Sequence, residues 1–548
     1  MSSAQPYSNP PFSCCASALS FHSRSVTPRG VLVALCLVFG LLGGCAGTSG
    51  SGERDYSHEQ TRDMFEVAYG HVQERFIERL TMETIALAGL SGLSVIDGRM
   101  QVTPRDGSIL LLKEGQEVQR FAWPETNDSE SWAAVTADVV DRARQASPVS
   151  AAALPEEIYS AVMDAVVGTL DQYSRYEGAV SANNQQQSRN GFGGIGVIIR
   201  TENDQTTVVE TLPDTPAAAA GLQAGDQITH ADGKPLVGLS PQQVAQHLRG
   251  KVGTNVVIDV LKAAAGTSAR VSIVRAPIVP LTVLGRLEQG VVIIRIRSFN
   301  RRTAADLEDE IEQLETLQGG PLPGLVLDLR NNPGGLLDQA VQAADLFLRS
   351  GPVITTRGRH PAANSAFAAD SYQIAKNVPI VILTNGRSAS ASEMLAASLQ
   401  DRGRAVVIGS ASHGKGSVQN LQEMPNGGEL AITWSRMHSP AGYVLDGLGV
   451  LPNICTSKPF KNDAVGMLHY EQDRLARQFQ DWRRYDRVDL GLAGTLRRNC
   501  PASFETLASD LDLAAKILLA PSIYRLALAP SVKATVAARE KAERRRRS

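Results

Sequence analysis

The fold is decided by two stretches with the same layout, GLVLDLRNNPGGLLDQAVQAADLFL at 324–348 and VPIVILTNGRSASASEMLAASL at 378–399. Each begins with an apolar run of the length of a buried strand, passes through a turn of polar residues and glycine, and continues at helical spacing. The pattern predicts strands at 324–329 and 378–384, followed by helices at 337–348 and 392–399. Strands that alternate with helices favour an α/β core with a largely parallel sheet.

The same alternation continues on both sides of these stretches. Upstream, 291–296 is predicted as a strand and 304–318 as a helix, and downstream 406–408 is predicted as a strand. We therefore expect the core to cover 277–460. A chain of 548 residues has room for three or four domains, and the segment 461–548 is predicted as a helical region with a basic tail.

The composition argues against functions that depend on a large net charge, such as the binding of nucleic acid. Hydrophobic residues make up 43% of the chain, charged residues 20%, and the formal net charge is -2. These values are typical of a globular protein with no overall attraction to nucleic acid. We therefore predict no nucleic-acid partner.

An apolar segment near the start, 31–42, resembles a bacterial lipoprotein signal. Arg29 precedes it, and Gly43, Gly44 and Cys45 follow it. Twelve residues rise about 18 Å as a helix, too little for a hydrocarbon core of about 30 Å, whereas a signal peptide needs only about 7 to 15 apolar residues. The resemblance implies a signal peptide over 1–45 with a lipidated Cys45, and a plain signal peptide is the alternative.

Export would determine where the protein is located and whether its cysteines can form a disulfide. A lipid on Cys45 would hold the protein in a bacterial cell envelope, facing the periplasm and with the outer membrane favoured, on a flexible linker at 46–57. Removal of 1–44 would leave Cys455 and Cys500 as the remaining pair in an oxidising compartment. A disulfide between them and two unpaired buried thiols are both open interpretations.

The region 58–190 is predicted to be helical with a small β insert. Phe65, Ala68 and Val72 recur at helical spacing, whereas 93–120 alternates apolar and polar residues around Asp-Gly pairs that indicate hairpins. The role of the insert is not readable from its pattern.

A glycine-rich start at 191, GFGGIGV, opens a region of short strands. Its free backbone amides suit a carboxylate, and a peptide could pair with the strand that follows. The stretch 191–276 resembles a PDZ domain of the type carried by bacterial proteases. A nucleotide site is the weaker interpretation because this loop leads into a strand rather than a helix. The predicted groove residues are Gly194, Ile195, Gly196, Val197, Val244 and Leu248.

Two further motifs point to hydrolysis. They are NGRSASASE at 385–393 and HGKGSVQ at 413–419, and LDLRNNPGG at 327–335 precedes them. Together they resemble the carboxy-terminal processing peptidases, also called tail-specific proteases. The resemblance implies a crotonase-like (ClpP/crotonase) α/β core, an inserted PDZ domain and a helical N-terminal region. It assigns the nucleophile to Ser390, the base to Lys415, the residue that orients the lysine to Gln419, and an oxyanion-hole amide to Gly334 or Gly335.

The chemistry of these residue types agrees with that assignment. A serine hydroxyl is a weak nucleophile until a neighbouring base takes its proton, and a lysine serves as base only when burial lowers its pKa. Lys415 follows Ser390 by 25 residues and is flanked by Gly414 and Gly416, which avoid crowding. Because Ser390 precedes a predicted helix, the Ala391 amide at the helix start is a second oxyanion donor.

Three competing chemistries have less support. His413 could pair with a serine, but no partner acid is indicated. Ser412 and Lys415 fit S-x-x-K, yet that motif needs a helical turn, and two glycines flank the lysine. Neither H-E-x-x-H nor paired Cys/His spacing occurs, so no metal and no cofactor are predicted.

The sequence thus predicts a serine endopeptidase that captures accessible C-terminal tails of protein substrates through its PDZ domain. A lipid-anchored PDZ adaptor that does not cleave, and a crotonase-like acyl-group enzyme, are the alternatives. The presence of Ser390, Lys415 and Gln419 argues against the adaptor, because a protein that does not cleave would not need them. Substrate identity is not readable, and a homo-oligomer is compatible with the sequence.

Overall fold

The computed structural model describes residues 56–370, 372–458 and 464–547. Cys45 and the predicted signal segment lie outside the described residues. Within the described ranges, no helix is long and apolar enough to cross a membrane.

The first region is a helical layer with a three-stranded antiparallel sheet. Side chains of Ser57, Thr81 and Asp128 cap helix starts by accepting backbone N–H groups. The turn at Asp106 and Gly107 joins two strands as the sequence predicts, whereas 93–96 is helical rather than extended. The elements are α1 (His58–Arg75), α2 (Met82–Ser91), α3 (Leu93–Ile96), β1 (Met100–Arg105), β2 (Ser108–Lys113), β3 (Gln116–Ala122), α4 (Ser129–Ala146), α5 (Pro148–Ala152), α6 (Pro155–Val167), β4 (Arg175–Glu177) and α7 (Ala179–Asn190).

The PDZ-like module follows directly. Its main sheet has the order β11-β10-β8-β7-β6, so that β6 lies at an edge beside α9. Ser240 caps α9, and a short ladder of β5 with β12 closes the module. The elements are β5 (Phe192–Gly194), β6 (Val197–Glu202), β7 (Gln205–Thr211), α8 (Pro216–Ala219), β8 (Gln227–Ala231), β9 (Lys234–Pro235), α9 (Pro241–Leu248), β10 (Asn255–Leu261), β11 (Ser268–Val274) and β12 (Ala276–Ile278).

The core confirms the predicted alternation of strands and helices. Its six-stranded sheet has the order β13-β14-β15-β18-β19-β22, parallel except for β13. The elements are β13 (Val283–Glu288), β14 (Val291–Ile296), α10 (Thr303–Gln318), β15 (Leu325–Asp328), α11 (Leu337–Asp345), β16 (Gly351–Arg357), β17 (Ser365–Ala369), β18 (Ile380–Thr384), α12 (Ala391–Asp401), β19 (Ala405–Gly409), β20 (Ser417–Glu423), β21 (Glu429–His438) and β22 (Ile454–Cys455).

A second sheet joins the core to the helical region. Its order is β17-β16-β21-β20, and β4 pairs with β21. This pairing brings the segment that carries Tyr173 and Arg175 close to Lys415, in the motif at 413–419 that leads into β20.

The C-terminal helices complete the core. The apolar side chains of one sheet face pack against the core helices, and those of the other face pack against the C-terminal ones. Central strands buried on both faces explain why 325–327 and 380–383 are continuously apolar. A disulfide joins Cys455 on β22 to Cys500 after α15, with Cα atoms 5.7 Å apart. The helices are α13 (Ala464–Tyr470), α14 (Gln472–Trp482), α15 (Leu490–Arg497), α16 (Ser509–Leu518) and α17 (Pro521–Arg547).

Candidate active site

Ser390 occupies a strained turn between β18 and α12. Its φ of 56° and ψ of -116° lie outside the regions that a residue with a side chain prefers, which costs about 1–3 kcal/mol. Hydrogen bonds hold the turn: the Ser390 N–H donates to Oε2 of Glu393 at 2.8 Å, and the Ala389 N–H donates to the Asn332 carbonyl at 3.0 Å. The turn sets the serine at the start of α12.

Two backbone amides beside Ser390 have no acceptor within the described part of the chain. One is the Ala391 N–H, the first of α12, and the other is the Gly335 N–H. The Gly334 N–H instead donates to Oδ1 of Asn332 at 2.8 Å. A side-chain carbon at Gly334 would lie 2.9 Å from Cβ of Ser390, so the glycine backbone approaches the serine closely. Of the two glycines predicted from the sequence, Gly335 is the one with a free amide.

Lys415 lies in the loop between β19 and β20. Burial lowers the pKa of its ammonium, and the nearby Arg175 lowers it further, against the opposing charges of Glu393, Asp171 and Asp446. Its Nζ lies 5.3 Å from the ring centre of Tyr173. The loop fits only with glycine at 416, since a side-chain carbon there would lie 1.9 Å from the Asp446 nitrogen. The neutral amine that a general base requires is therefore favoured relative to a free lysine.

Serine and lysine line one pocket of about 500 Å³. Ala391, Gly334, Gly335 and Gln419 line it as well. No hydrogen bond joins Oγ of Ser390 to Nζ of Lys415 among the described residues. The carboxamide of Gln419 donates to Oγ of Ser417 at 2.9 Å and to Oγ1 of Thr433 at 3.2 Å, and it makes no hydrogen bond to Lys415 among the described residues.

Glu393 is a site residue that the sequence analysis does not single out. Its side chain is 0% exposed, and burial raises the pKa of its carboxyl while hydrogen bonds oppose the shift. The carboxylate accepts four hydrogen bonds, from Oγ of Ser412 at 2.5 Å and from the N–H groups of Gly414 at 2.6 Å, Lys415 at 2.8 Å and Ser390 at 2.8 Å. It thus ties the serine turn to the lysine loop. A glutamate three residues after a serine at a helix start is a capping pattern, which is the signal that could have found it.

The two other candidates in the lysine motif, His413 and Ser412, make hydrogen bonds that hold the loop in place. His413 is exposed, and its backbone N–H donates to the Ser388 carbonyl at 2.9 Å. Ser412 is buried, and its hydroxyl contacts Glu393 and the Val450 N–H. The segment 411–416 is not helical, so Ser412 and Lys415 do not share a helix face.

Two regions of the chain match models of known protein families. The model of peptidase family S41 matches residues 290–456, and that of the PDZ domain matches 207–262. The chain is 37% identical to a carboxy-terminal-processing protease of Bartonella bacilliformis, over 54% of this chain and 69% of that protein. It is 33% identical to the carboxyl-terminal-processing protease of Picosynechococcus, over 54% of this chain and 72% of that one.

The chain belongs to peptidase family S41. It is a serine-type peptidase with a PDZ domain. The solved structure of the photosystem II D1 C-terminal processing protease is also similar, with 26% identity over 54% of this chain and 81% of that one and a TM-score of 0.33.

The PDZ domain of this S41 peptidase has a narrow groove of about 80 Å³ between β6 and α9. Ile195, Val197, Ile199, Ala245 and Leu248 line it, together with Gly194 and Gly196. The structure corrects one predicted residue: Val244 is 0% exposed and packs in the core of the domain, and its neighbour Ala245 faces the groove.

Two features make the mouth of the groove suitable for an anion. The amides of Ile195 and Gly196 have no acceptor among the residues that the structure describes. Arg249, which the sequence analysis did not single out, also lines the groove, and its guanidinium lies 3.9 Å from the ring centre of Phe192. Backbone amides and a cation together suit a carboxylate.

Proposed function

We propose that this S41 peptidase cleaves peptide bonds by a Ser390 and Lys415 mechanism. Neutral Lys415 takes the proton of Ser390, whose oxygen attacks the peptide carbonyl. The amides of Ala391 and Gly335 bind the oxyanion of the tetrahedral intermediate. The intermediate collapses as its C–N bond breaks, and the amine leaves with the proton that Lys415 had taken, so that the acyl group stays on Ser390 as an ester. Water then gives a proton to Lys415, attacks the ester and releases the acyl group as an acid, and Ser390 recovers its proton from Lys415.

The family resemblance gives Gln419 the role of orienting the lysine; its carboxamide donates to Ser417 and Thr433 here, so that role requires the side chain to turn toward Lys415 when substrate binds. The resemblance to the carboxy-terminal processing peptidases implies a crotonase-like core, and we propose that fold for residues 277–460.

One observation carries this proposal. A strained serine turn and a half-buried lysine line the same pocket, beside two amides that have no acceptor among the residues that the structure describes. Backbone strain of this kind persists only where the surrounding structure holds it, and it is concentrated at active sites. Unpaired amides beside a nucleophile can bind the negative charge that develops on the substrate oxygen.

We further propose that the PDZ domain binds the C-terminal tails of protein substrates. The edge of β6 is unpaired within the described residues, so an extended peptide can add to it as a strand. The terminal carboxylate would meet the amides of Ile195 and Gly196 and the guanidinium of Arg249. Because Ser390 and Lys415 are not hydrogen-bonded to each other, we propose that tail binding also aligns the catalytic pair.

The location in the cell envelope is proposed from the signal segment and Cys45. A disulfide between Cys455 and Cys500 fits an oxidising compartment. Cys45→Ser should release the mature protein from the membrane fraction. A variant that stays in that fraction would contradict anchoring through Cys45.

The test of the mechanism incubates the mature protein with a denatured protein substrate, beside the Ser390→Ala and Lys415→Ala variants. Fragments should form with the unchanged protein alone. Equal fragments from all three proteins would overturn the mechanism. Binding of tail peptides without cleavage by any of them would favour the adaptor.

A further inference from the structure

Arg497 connects the C-terminal helical region to the turn that carries Ser390 and the loop that carries Lys415, which together are called the catalytic loops. This residue ends α15, beyond the segment 290–456 that the peptidase family matches. Its guanidinium donates to the Ser412 carbonyl at 2.8 Å and to the Leu448 carbonyl at 2.5 Å. Arg497 therefore fixes the backbone of the loop that carries Lys415.

Arg497 also lies beside the carboxylate that joins the two catalytic loops. A side-chain carbon at Gly449 would stand 2.6 Å from Oγ of Ser412, 3.0 Å from Oε1 of Glu393 and 3.2 Å from Nη1 of Arg497. The three groups thus converge on one point, which a glycine leaves open.

The chemistry of Glu393 explains why a cation is needed there. An ionised carboxylate has acceptor sites for four donors, whereas a protonated one must itself donate. Burial favours the protonated form, and the Glu393 carboxylate in turn raises the pKa of Arg497 against the lowering effect of burial. The charged and titratable groups around Glu393 are Tyr173, His413, Lys415, Tyr443 and Arg497.

We propose that Arg497 is a positioning residue of the peptidase, which keeps Glu393 and the lysine loop in the arrangement that aligns Ser390 with Lys415. The proposal rests on the mechanism proposed above and deepens it. It makes the C-terminal helical region part of the catalytic machinery, although no catalytic motif lies there. The planar fork of arginine suits two carbonyls, which a lysine cannot hold in the same way.

The test compares Arg497→Met and Arg497→Lys with the unchanged protein, and uses Arg498→Gln as the matched control. Arg498 is exposed and contacts Thr495, away from the site. We expect Arg497→Met to lower kcat by about 10- to 100-fold with little change in KM, because the catalytic groups are displaced while the binding surfaces remain. Arg497→Lys keeps the charge without the fork and should recover part of the loss. Circular dichroism and melting temperature report whether each variant folds.

A second readout does not depend on cleavage. Carbon-13 labelling of glutamate carboxyls, with Glu393→Gln to assign the signal, gives the titration of Glu393 by NMR. Arg497→Met should raise the pKa of that carboxyl, and Arg497→Lys should restore it. Wild-type kcat and an unmoved titration in folded Arg497→Met would overturn the proposal. If the unchanged protein does not cleave, the proposed mechanism fails, while this titration still decides the link between Arg497 and Glu393.

Discussion

The catalytic loops and the PDZ groove are built in opposite ways. In the loops, buried side chains bind the backbone on both sides of the nucleophile: Glu393 alone accepts four hydrogen bonds, and the Asn332 side chain accepts one from the Gly334 amide. In the groove, β6 keeps a free edge, and the amides of Ile195 and Gly196 have no acceptor in the described part of the chain.

This difference follows from what each site has to do. A reaction needs groups fixed within fractions of an ångström, which hydrogen bonds from the surrounding protein provide. A strand-binding groove must leave its backbone groups for the ligand. Changes in the loops should therefore act on kcat, and changes at the groove should act first on KM.

The largest effect should come from removing the reacting groups. Ser390→Ala and Lys415→Ala should each lower kcat/KM by at least about 10³-fold, because either loss removes the nucleophile or its base. The measurement is the hydrolysis of a fluorogenic peptide with a free C-terminal tail. Lys376→Ala, at an exposed position, is the control. More than a tenth of the activity in either variant would mean that another residue performs the reaction.

The next largest effect tests whether the loops are as tightly specified as the hydrogen bonds indicate. Glu393→Gln places an amide donor where the carboxylate accepts, so that at least one of the backbone N–H groups loses its partner. We expect kcat to fall about 10²-fold with little change in KM. Glu423→Gln, exposed at the end of β20, should behave like the unchanged protein. A Glu393→Gln enzyme with normal kcat would show that the catalytic loops do not need this carboxylate.

The two regions also differ in how far their sequence reveals them. The β and α repeats of the core were predictable because strands buried on both faces are continuously apolar. The positions of Ser390 and Lys415 followed from short motifs with a fixed separation. Glu393 lies in the same motif, but its bonds reach a loop 19 to 22 residues away, and no local pattern reports such a contact.

Tertiary context also decides the details that the sequence left open. Val244 and Ala245 both lie on α9, and the packing of that helix decides which of them faces the groove. The C-terminal region carries no motif, yet its apolar side chains cover one face of the sheet, and Arg497 reaches the lysine loop. Residues whose hydrogen bonds reach backbone atoms far away in the sequence are those that sequence motifs and periodicity do not reveal.

A smaller effect should follow from blocking the tail of a substrate peptide. Converting its C-terminal carboxylate to an amide removes the charge that the Ile195 and Gly196 amides and Arg249 can bind, so we expect KM to rise about 10-fold. Acetylating the opposite end of the same peptide is the control and should change nothing. An accompanying fall in kcat would show that the groove also aligns the catalytic pair, and an unchanged KM would contradict tail recognition.

The smallest effect concerns the charge beside Lys415. Arg175 lines the catalytic pocket and lowers the pKa of the lysine, after the larger effect of burial. Arg175→Met removes that positive charge, so Lys415 should hold its proton more tightly and its pKa should rise.

Because the base acts as the neutral amine, activity appears as pH rises through the pKa of Lys415. The rising limb of kcat against pH should therefore move to higher pH in Arg175→Met, and the rate at a pH on that limb should fall about 3-fold. Arg120→Met, on the exposed hairpin of the first region, should leave the limb in place. A rising limb that stays in place or moves to lower pH would contradict the assignment of that limb to Lys415 beside Arg175, because losing a nearby cation raises the pKa of the lysine.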